Sequence, residues 1–182
     1  MSEDEVVIRF VESHRKLSDV IDQLDAEDFE KRLSNRWSAG QHFLHVSKWA
    51  SLFRRRFRLP FLFRVIISII PLKRELNFTA VSKRYEKALS KGVKHPFLTS
   101  PQVLHQRNKH EYIKRYRRRI KRIARKFNYI PIRWQRWYKL WHPHLGLVSY
   151  REFMIASTYH VEHHIDIIQR ELGYEIYDGL KE

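Results

Sequence analysis

The sequence predicts an all-α protein, a four-helix bundle with long connections after its second and third helices. Four segments repeat apolar residues at steps of three and four, the spacing of one face of an α-helix. No segment alternates apolar and polar residues as a half-buried strand would. The 182 residues include only 5 glycines and 6 prolines, which argues against turn-rich sandwiches. One domain over residues 1–182 is expected, with an apolar and basic insertion at about 59–99.

The first two helices are predicted over about residues 3–24 and 38–58. In the first, most apolar residues are three, four or seven positions apart, so one face is apolar. The second begins at Ser38, because Gln41 follows three residues later in the capping-box pattern. Residues 25–36 are polar and are predicted to form a loop or a broken helix.

The third helix is predicted from Ser100 to about Asn128. The Ser100-Pro101 pair is a good start signal, since proline suits the first helical position. Apolar residues at steps of three and four then form one seam. The mixed, basic connection before it, residues 72–99, is predicted to hold no more than one short helix. The connection after it, residues 129–147, is rich in tryptophan.

The fourth helix is predicted from Ser149 to about Leu172. Ser149 is a suitable cap, and Glu152 completes a capping box. Gly173 is the residue type expected just after a helix C-terminus. A four-helix bundle would bury the apolar seams of all four helices, while the long connections leave their packing order open.

The most apolar stretch, Pro60 to Pro71, is too short to span a membrane. It is a dozen residues long and contains Arg64, whereas a spanning helix needs about 20 apolar residues. Two interpretations are open: a core or lid element of the fold, or a segment that contacts a membrane surface. The acidic N-terminus does not resemble a secretory signal, so a cytoplasmic protein is expected.

The third helix concentrates the positive charge of the chain, whose formal net charge is +16. Residues 100–128 hold 11 Lys/Arg against one acid. Since the apolar seam faces inward, these cations are expected to fan over the other faces. A solvated surface is one interpretation. Nonspecific nucleic-acid binding, or contact with an anionic membrane or acidic partner, through the cations at about 107–126 is the alternative.

The chain contains no cysteine, so any metal must be held by His, Asp or Glu, and the placement of the histidines makes them the candidate ligands. His160 and His164 are one turn apart on the bundle-facing stripe of the fourth helix, so they can share one metal ion. His163 points about 100° away from His164. On the second helix, apolar neighbours surround His45. A three-histidine site of His45, His160 and His164 would suit zinc, nickel or iron; core histidines satisfied by hydrogen bonds are the alternative.

Two segments that contain histidines carry a resemblance to a known family. Trp37–Trp49, WSAGQHFLHVSKW, resembles the second-helix motif of the DinB-like superfamily, in which a histidine eight residues after the tryptophan is a metal ligand. That position is His45 here, not His42. His142–Ile168, HPHLGLVSYREFMIASTYHVEHHIDII, resembles the closing motif: an HPxxG-type loop, a Ser/Thr cap and a helix with an HxxxH ligand pair. That pair corresponds to the first and last histidines of the fourth helix.

The resemblance implies a bundle, often homodimeric, that binds a divalent metal through His45, His160 and His164. Some members are thiol S-transferases acting on bacillithiol- or mycothiol-type cofactors, and others are described as metal-dependent hydrolases. A hydrolase or S-transferase acting on a small molecule is therefore expected, with His142 and His144 as candidates for substrate contact or for orienting a ligand. The competing hypothesis is a non-enzymatic basic module that binds nucleic acid or an anionic membrane surface.

Overall fold

The computed structural model describes residues 3–32, 36–56, 61–69, 76–91 and 102–173. In chain order the elements are α1 (Glu3–Gln23), α2 (Ala26–Glu30), α3 (Ala39–Arg56), α4 (Phe61–Ser68), α5 (Phe78–Ser90), α6 (Lys109–Asn128), α7 (Ile132–Trp137), β1 (Lys139–His142), β2 (Gly146–Ser149) and α8 (Tyr150–Leu172).

The predicted four-helix bundle is confirmed by the long helices α1, α3, α6 and α8. α1 packs against α6 and α8, and α3 packs against the same two helices. The consecutive long helices α1 and α3 also contact each other, but each packs more extensively against α6 and α8. Large aromatic side chains fill the space between them, among them Phe10, Phe43, Phe53, Tyr116 and Phe153, each no more than 3% exposed. Burying each such side chain contributes about 1.5–3 kcal/mol.

The ends of α8 form as the sequence predicts. The Ser149 hydroxyl accepts the Glu152 backbone N–H at 3.0 Å, and the Glu152 carboxylate accepts the Ser149 N–H at 2.8 Å. Gly173 follows the helix with φ +72°, in the left-handed region. The other Glu152 oxygen accepts the Leu76 N–H at 2.9 Å, so this cap also ties the approach to α5 to the start of α8.

The predicted start of the third helix is wrong. Residues 100 and 101 lie outside the described residues, but the chain is not helical from 102 to 105, and α6 begins at Lys109 after a short 3-10 turn. Leu104 is buried, and the Glu30 carboxylate accepts the Gln106 N–H at 2.7 Å. These contacts tie the segment down as a non-helical approach to α6.

The tryptophan-rich connection contains the strands that the sequence did not predict. β1 and β2 form an antiparallel hairpin, with Leu140 opposite Val148 and His142 opposite Gly146. Leu140 and Val148 are buried, but so is Lys139 on the other face. The usual alternation of apolar and polar residues is therefore absent, because protein covers both faces of β1 at this point.

Three cations of the basic helix hold the bundle together. Lys109 is buried, and its ammonium donates to the backbone carbonyls of Asp22 and Leu24 at 3.0 and 2.6 Å. The Arg117 guanidinium forms an ion pair with Asp19 at 2.9 Å. Arg119 donates to the Ser47 carbonyl and hydroxyl on α3. The expectation that all these cations fan over the other faces is therefore wrong for the buried Lys109, while Arg117 pairs with Asp19 at the surface.

The apolar stretch that begins at Pro60 forms α4, which lies against β1. Residues 60, 70 and 71 of that stretch lie outside the described residues. The Ser68 carbonyl accepts the Lys139 ammonium at 2.9 Å, and its hydroxyl accepts the Lys139 N–H at 3.2 Å. Within the described part of the chain, no helix is long and apolar enough to cross a membrane.

Candidate metal centre

Three histidines from α3 and α8 converge in the bundle. One nitrogen of each of His45, His160 and His164 lies within 4.8 Å of the others. Nε2 of His45 and Nε2 of His160 are 3.1 Å apart. The ring centroids lie 4.7–5.1 Å from one another. The structure thus brings together the three residues that the sequence selected, two from one helix and one from its neighbour.

The surroundings of the cluster keep its imidazoles neutral. Burial, followed by the charges of His144 and Lys48, lowers the pKa of His45 to about 4. Burial and the neighbouring imidazoles hold the pKa values of His160 and His164 well below their usual value of 6.5. Neutral rings keep lone pairs available for a metal ion. This all-nitrogen donor set fits a divalent transition metal such as zinc, nickel or iron.

Tyr85 of α5 fixes the ring of His160. Its hydroxyl lies 3.1 Å from Nδ1 of His160, which leaves Nε2 directed at His45. Tyr85 is buried, and burial raises its pKa far above the usual value, so the phenol stays neutral. The sequence does not single out Tyr85, because residues 72–99 are predicted to be a connection with no more than one short helix, whereas α5 is a 13-residue helix.

His42 of α3 contacts the cluster from the side of His164. The Nδ1 atoms of these two rings are 2.9 Å apart, so one ring donates a hydrogen bond to the other. Nε2 of His42 lies 3.8 Å from the Glu171 carboxylate. Trp37 packs against the rings of both His42 and His45. His42 is therefore placed to orient His164, a role that helical spacing alone did not indicate.

His163 lies outside the cluster, as its angle on the helix predicts. Its ring stacks on Tyr159 with 6.4 Å between centroids and an interplanar angle of 12°. It is only partly buried, and it neighbours His164 at a centroid distance of 5.6 Å. His163 is therefore a matched comparison residue for the three clustered histidines.

His142 and His144 stand at the tip of the hairpin, beside the same cluster. The His142 ring is buried, and its Nδ1 accepts the backbone N–H groups of His144 and Leu145 at 3.2 and 3.3 Å. His142 also contacts Trp49 and Tyr85, with ring centroids 5.0 and 5.4 Å away. His142 thus shapes the turn, while the half-buried His144 faces Tyr85 at 5.3 Å.

The chain matches no protein-family model and no curated protein sequence. Among solved structures it is similar to YfiT from Bacillus subtilis, described as "a probable metal-dependent hydrolase with an unusual four-helix bundle topology". The match has a TM-score of 0.60 and covers 96% of this chain and 91% of that one, at 14% sequence identity. The chain has a DinB/YfiT-like fold. A shared fold does not determine a reaction, so the chemistry of this protein is argued from its own residues.

Proposed function

We propose that this protein is a metal-dependent enzyme, a hydrolase or thiol S-transferase, acting on a small molecule. His45, His160 and His164 would hold the divalent ion. The convergence of these three neutral imidazoles carries the proposal. The YfiT-like fold supports it, since YfiT is described as a probable metal-dependent hydrolase. A divalent ion held by three histidines acts as a Lewis acid and lowers the pKa of water or of a thiol.

The residues around the cluster would position its ligands and the substrate. Tyr85 holds His160 and His42 holds His164, so both rings keep one orientation. Trp49 lies against His160, and its buried indole N–H has no hydrogen-bond partner among the described residues. We propose that this N–H donates to an oxygen of the bound substrate, because an unsatisfied buried donor is costly.

Metal content measured after dialysis tests the proposal. Zn²⁺ or Ni²⁺ bound per chain should fall by orders of magnitude in His45→Ala, His160→Ala and His164→Ala, because each loses one protein ligand. His163→Ala is the matched control and should stay near the wild-type content. Equal metal content in His45→Ala and wild type would refute a site built across α3 and α8.

The reaction class is tested by assaying metal-loaded protein with and without a thiol co-substrate. A hydrolase turns over without the thiol, whereas an S-transferase requires it. In either case His160→Ala should abolish turnover, and chelation should abolish turnover in the wild type. Activity that survives both changes would remove the metal from the mechanism.

A further inference from the structure

One face of α4 presents large apolar side chains to solvent. Leu62, Ile66 and Ile69 are 68%, 54% and 69% exposed. They are four and three positions apart, which places them on one side of a helix. Ser68, on the other side of the helix, is buried against the protein, and Val65, at the edge of the exposed side, is partly buried. We call the exposed side, Leu62, Ile66 and Ile69, the α4 apolar face.

An exposed tryptophan belongs to the same region. Lys139 and Trp141 lie two residues apart in β1, so their side chains leave the same face of the strand. The Lys139 ammonium donates a hydrogen bond to the Ser68 carbonyl at the end of α4, so α4 lies over this face. Trp141 is 61% exposed on it. Aliphatic and tryptophan side chains together are typical of helices that lie in a membrane interface.

The chain around the α4 apolar face is strongly basic. Residues 48–74 contain eight Lys/Arg and no Asp or Glu. The eight are Lys48, Arg54, Arg55, Arg56, Arg58, Arg64, Lys73 and Arg74. Arg55 is exposed close to the end of α3, shortly before α4 begins. In the sequence, the apolar residues of α4 therefore lie within a stretch that contains many cations and no acid.

We propose that the α4 apolar face binds the surface of an anionic phospholipid membrane. Leu62, Ile66 and Ile69 enter the boundary between headgroups and acyl chains, and the excess positive charge of this part of the sequence attracts the lipid phosphates. α4 lies in the plane of the membrane, because eight residues span only about 12 Å. Membrane binding through α4 does not involve the three-histidine cluster, so this inference does not rest on the proposed enzyme activity.

Other partners fit this surface less well. Nucleic acid would attract the cations but would leave three aliphatic side chains unpaired. A second copy of the chain, related by two-fold symmetry, would bring two strongly basic stretches of the sequence together. An anionic bilayer satisfies the apolar and the charged parts at once.

Vesicle sedimentation tests the inference, with the full chain and two lipid compositions. Equimolar phosphatidylglycerol and phosphatidylcholine supply negative charge, and phosphatidylcholine alone supplies none. The variant is Ile66→Asp and the control is Ile8→Asp on α1. Ile66 and Ile8 are 54% and 53% exposed, so both substitutions are tolerated by the fold and change the net charge equally.

We expect the wild type to bind the anionic vesicles, to bind the neutral ones weakly, and to be released by salt. Ile66→Asp should bind the anionic vesicles about tenfold more weakly or worse, and Ile8→Asp should bind like the wild type. Absence of wild-type binding to anionic vesicles would overturn the inference. So would equal weakening by both variants, or a dimer in light scattering that Ile66→Asp dissociates without any vesicle binding.

Discussion

At the scale of residues, the Tyr85 hydroxyl is expected to contribute to metal affinity, because it orients His160. Tyr85→Phe removes the contact with Nδ1 of His160 and keeps the buried ring. We expect the affinity for Zn²⁺ or Ni²⁺ to fall about 10–100-fold, since partners that orient metal ligands have effects of this size. Competition with a chromophoric chelator measures it. Tyr159→Phe, whose hydroxyl donates to Glu86, is the control, and identical affinities in the two variants would contradict the role of Tyr85.

Burial of His14 is expected to make the free energy of unfolding depend on pH. It is buried in α1 against the Tyr116 hydroxyl, and burial lowers its pKa from 6.5 to about 3. Between these values the unfolded chain binds a proton that native His14 does not bind, so the free energy of unfolding falls as the pH falls. The loss reaches about 2 kcal/mol at about pH 5 and is absent above about pH 7.

Urea unfolding of metal-free protein at the two pH values checks this expectation. His14→Asn keeps a side chain that can pair with Tyr116 but does not titrate in this range. Between about pH 7 and about pH 5, the free energy of unfolding of His14→Asn should therefore fall by about 2 kcal/mol less than that of the wild type. The other histidines contribute equally to both proteins. Parallel pH curves for wild type and variant would show that His14 titrates normally in the native state.

At the scale of elements, the contact between α2 and α3 depends on a glycine. A Cβ added at Gly40 would lie 2.9 Å from Cζ of Phe29, whose ring is fully buried. Gly40→Ala should lower the free energy of unfolding, because overpacking costs about 1–3 kcal/mol and exceeds the gain in helix propensity, about 1 kcal/mol.

Denaturant unfolding in two backgrounds separates these effects. In Phe29→Leu the ring is absent and only the backbone oxygen of residue 29, 3.2 Å from the added Cβ, stays close, so the same Gly40→Ala change should cost less. A substitution that costs the same with and without the Phe29 ring would show that the close approach is not its cause.

At the scale of the whole molecule, metal binding should stabilise the bundle, since the proposed ligands join α3 to α8. Metal at about 100 times its dissociation constant adds about 2.7 kcal/mol, which corresponds to a rise in Tm of about 5–10 °C at this chain length. Calorimetry with and without Zn²⁺ measures it. His163→Ala should keep the shift and His45→Ala should lose it; the same shift in both would place the metal elsewhere.

The cations of α6 divide into those that bond to the rest of the bundle and those that are exposed. Lys109 and Arg119 donate to α1, α3 and the segment after α1, and Arg117 pairs with Asp19 of α1. Lys114, Arg118, Lys121 and Arg122 are exposed. Nucleic-acid binding through the cations at about 107–126 stays a prediction, as does a homodimer.

The sequence by itself determined the features that depend on local geometry. Apolar spacing of three and four gave the four bundle helices, and the capping box and Gly173 gave the ends of α8. The spacing of His160 and His164 placed them on one face of α8, since residues four apart on a helix lie on the same face. The resemblance of Trp37–Trp49 to a known motif selected His45, whose convergence with that pair the structure shows, while metal ligation stays a prediction.

Only the tertiary structure decided which elements meet. It brought Tyr85 of α5 to His160, placed His42 against His164, and formed a hairpin whose Lys139 is buried by α4. It also exposed Leu62, Ile66 and Ile69, in a stretch for which the sequence left open a core or lid element or a segment that contacts a membrane surface. Spacing along one helix fixes angles about its own axis, but the partner on each side is set by packing between segments distant in sequence. No local pattern encodes that choice.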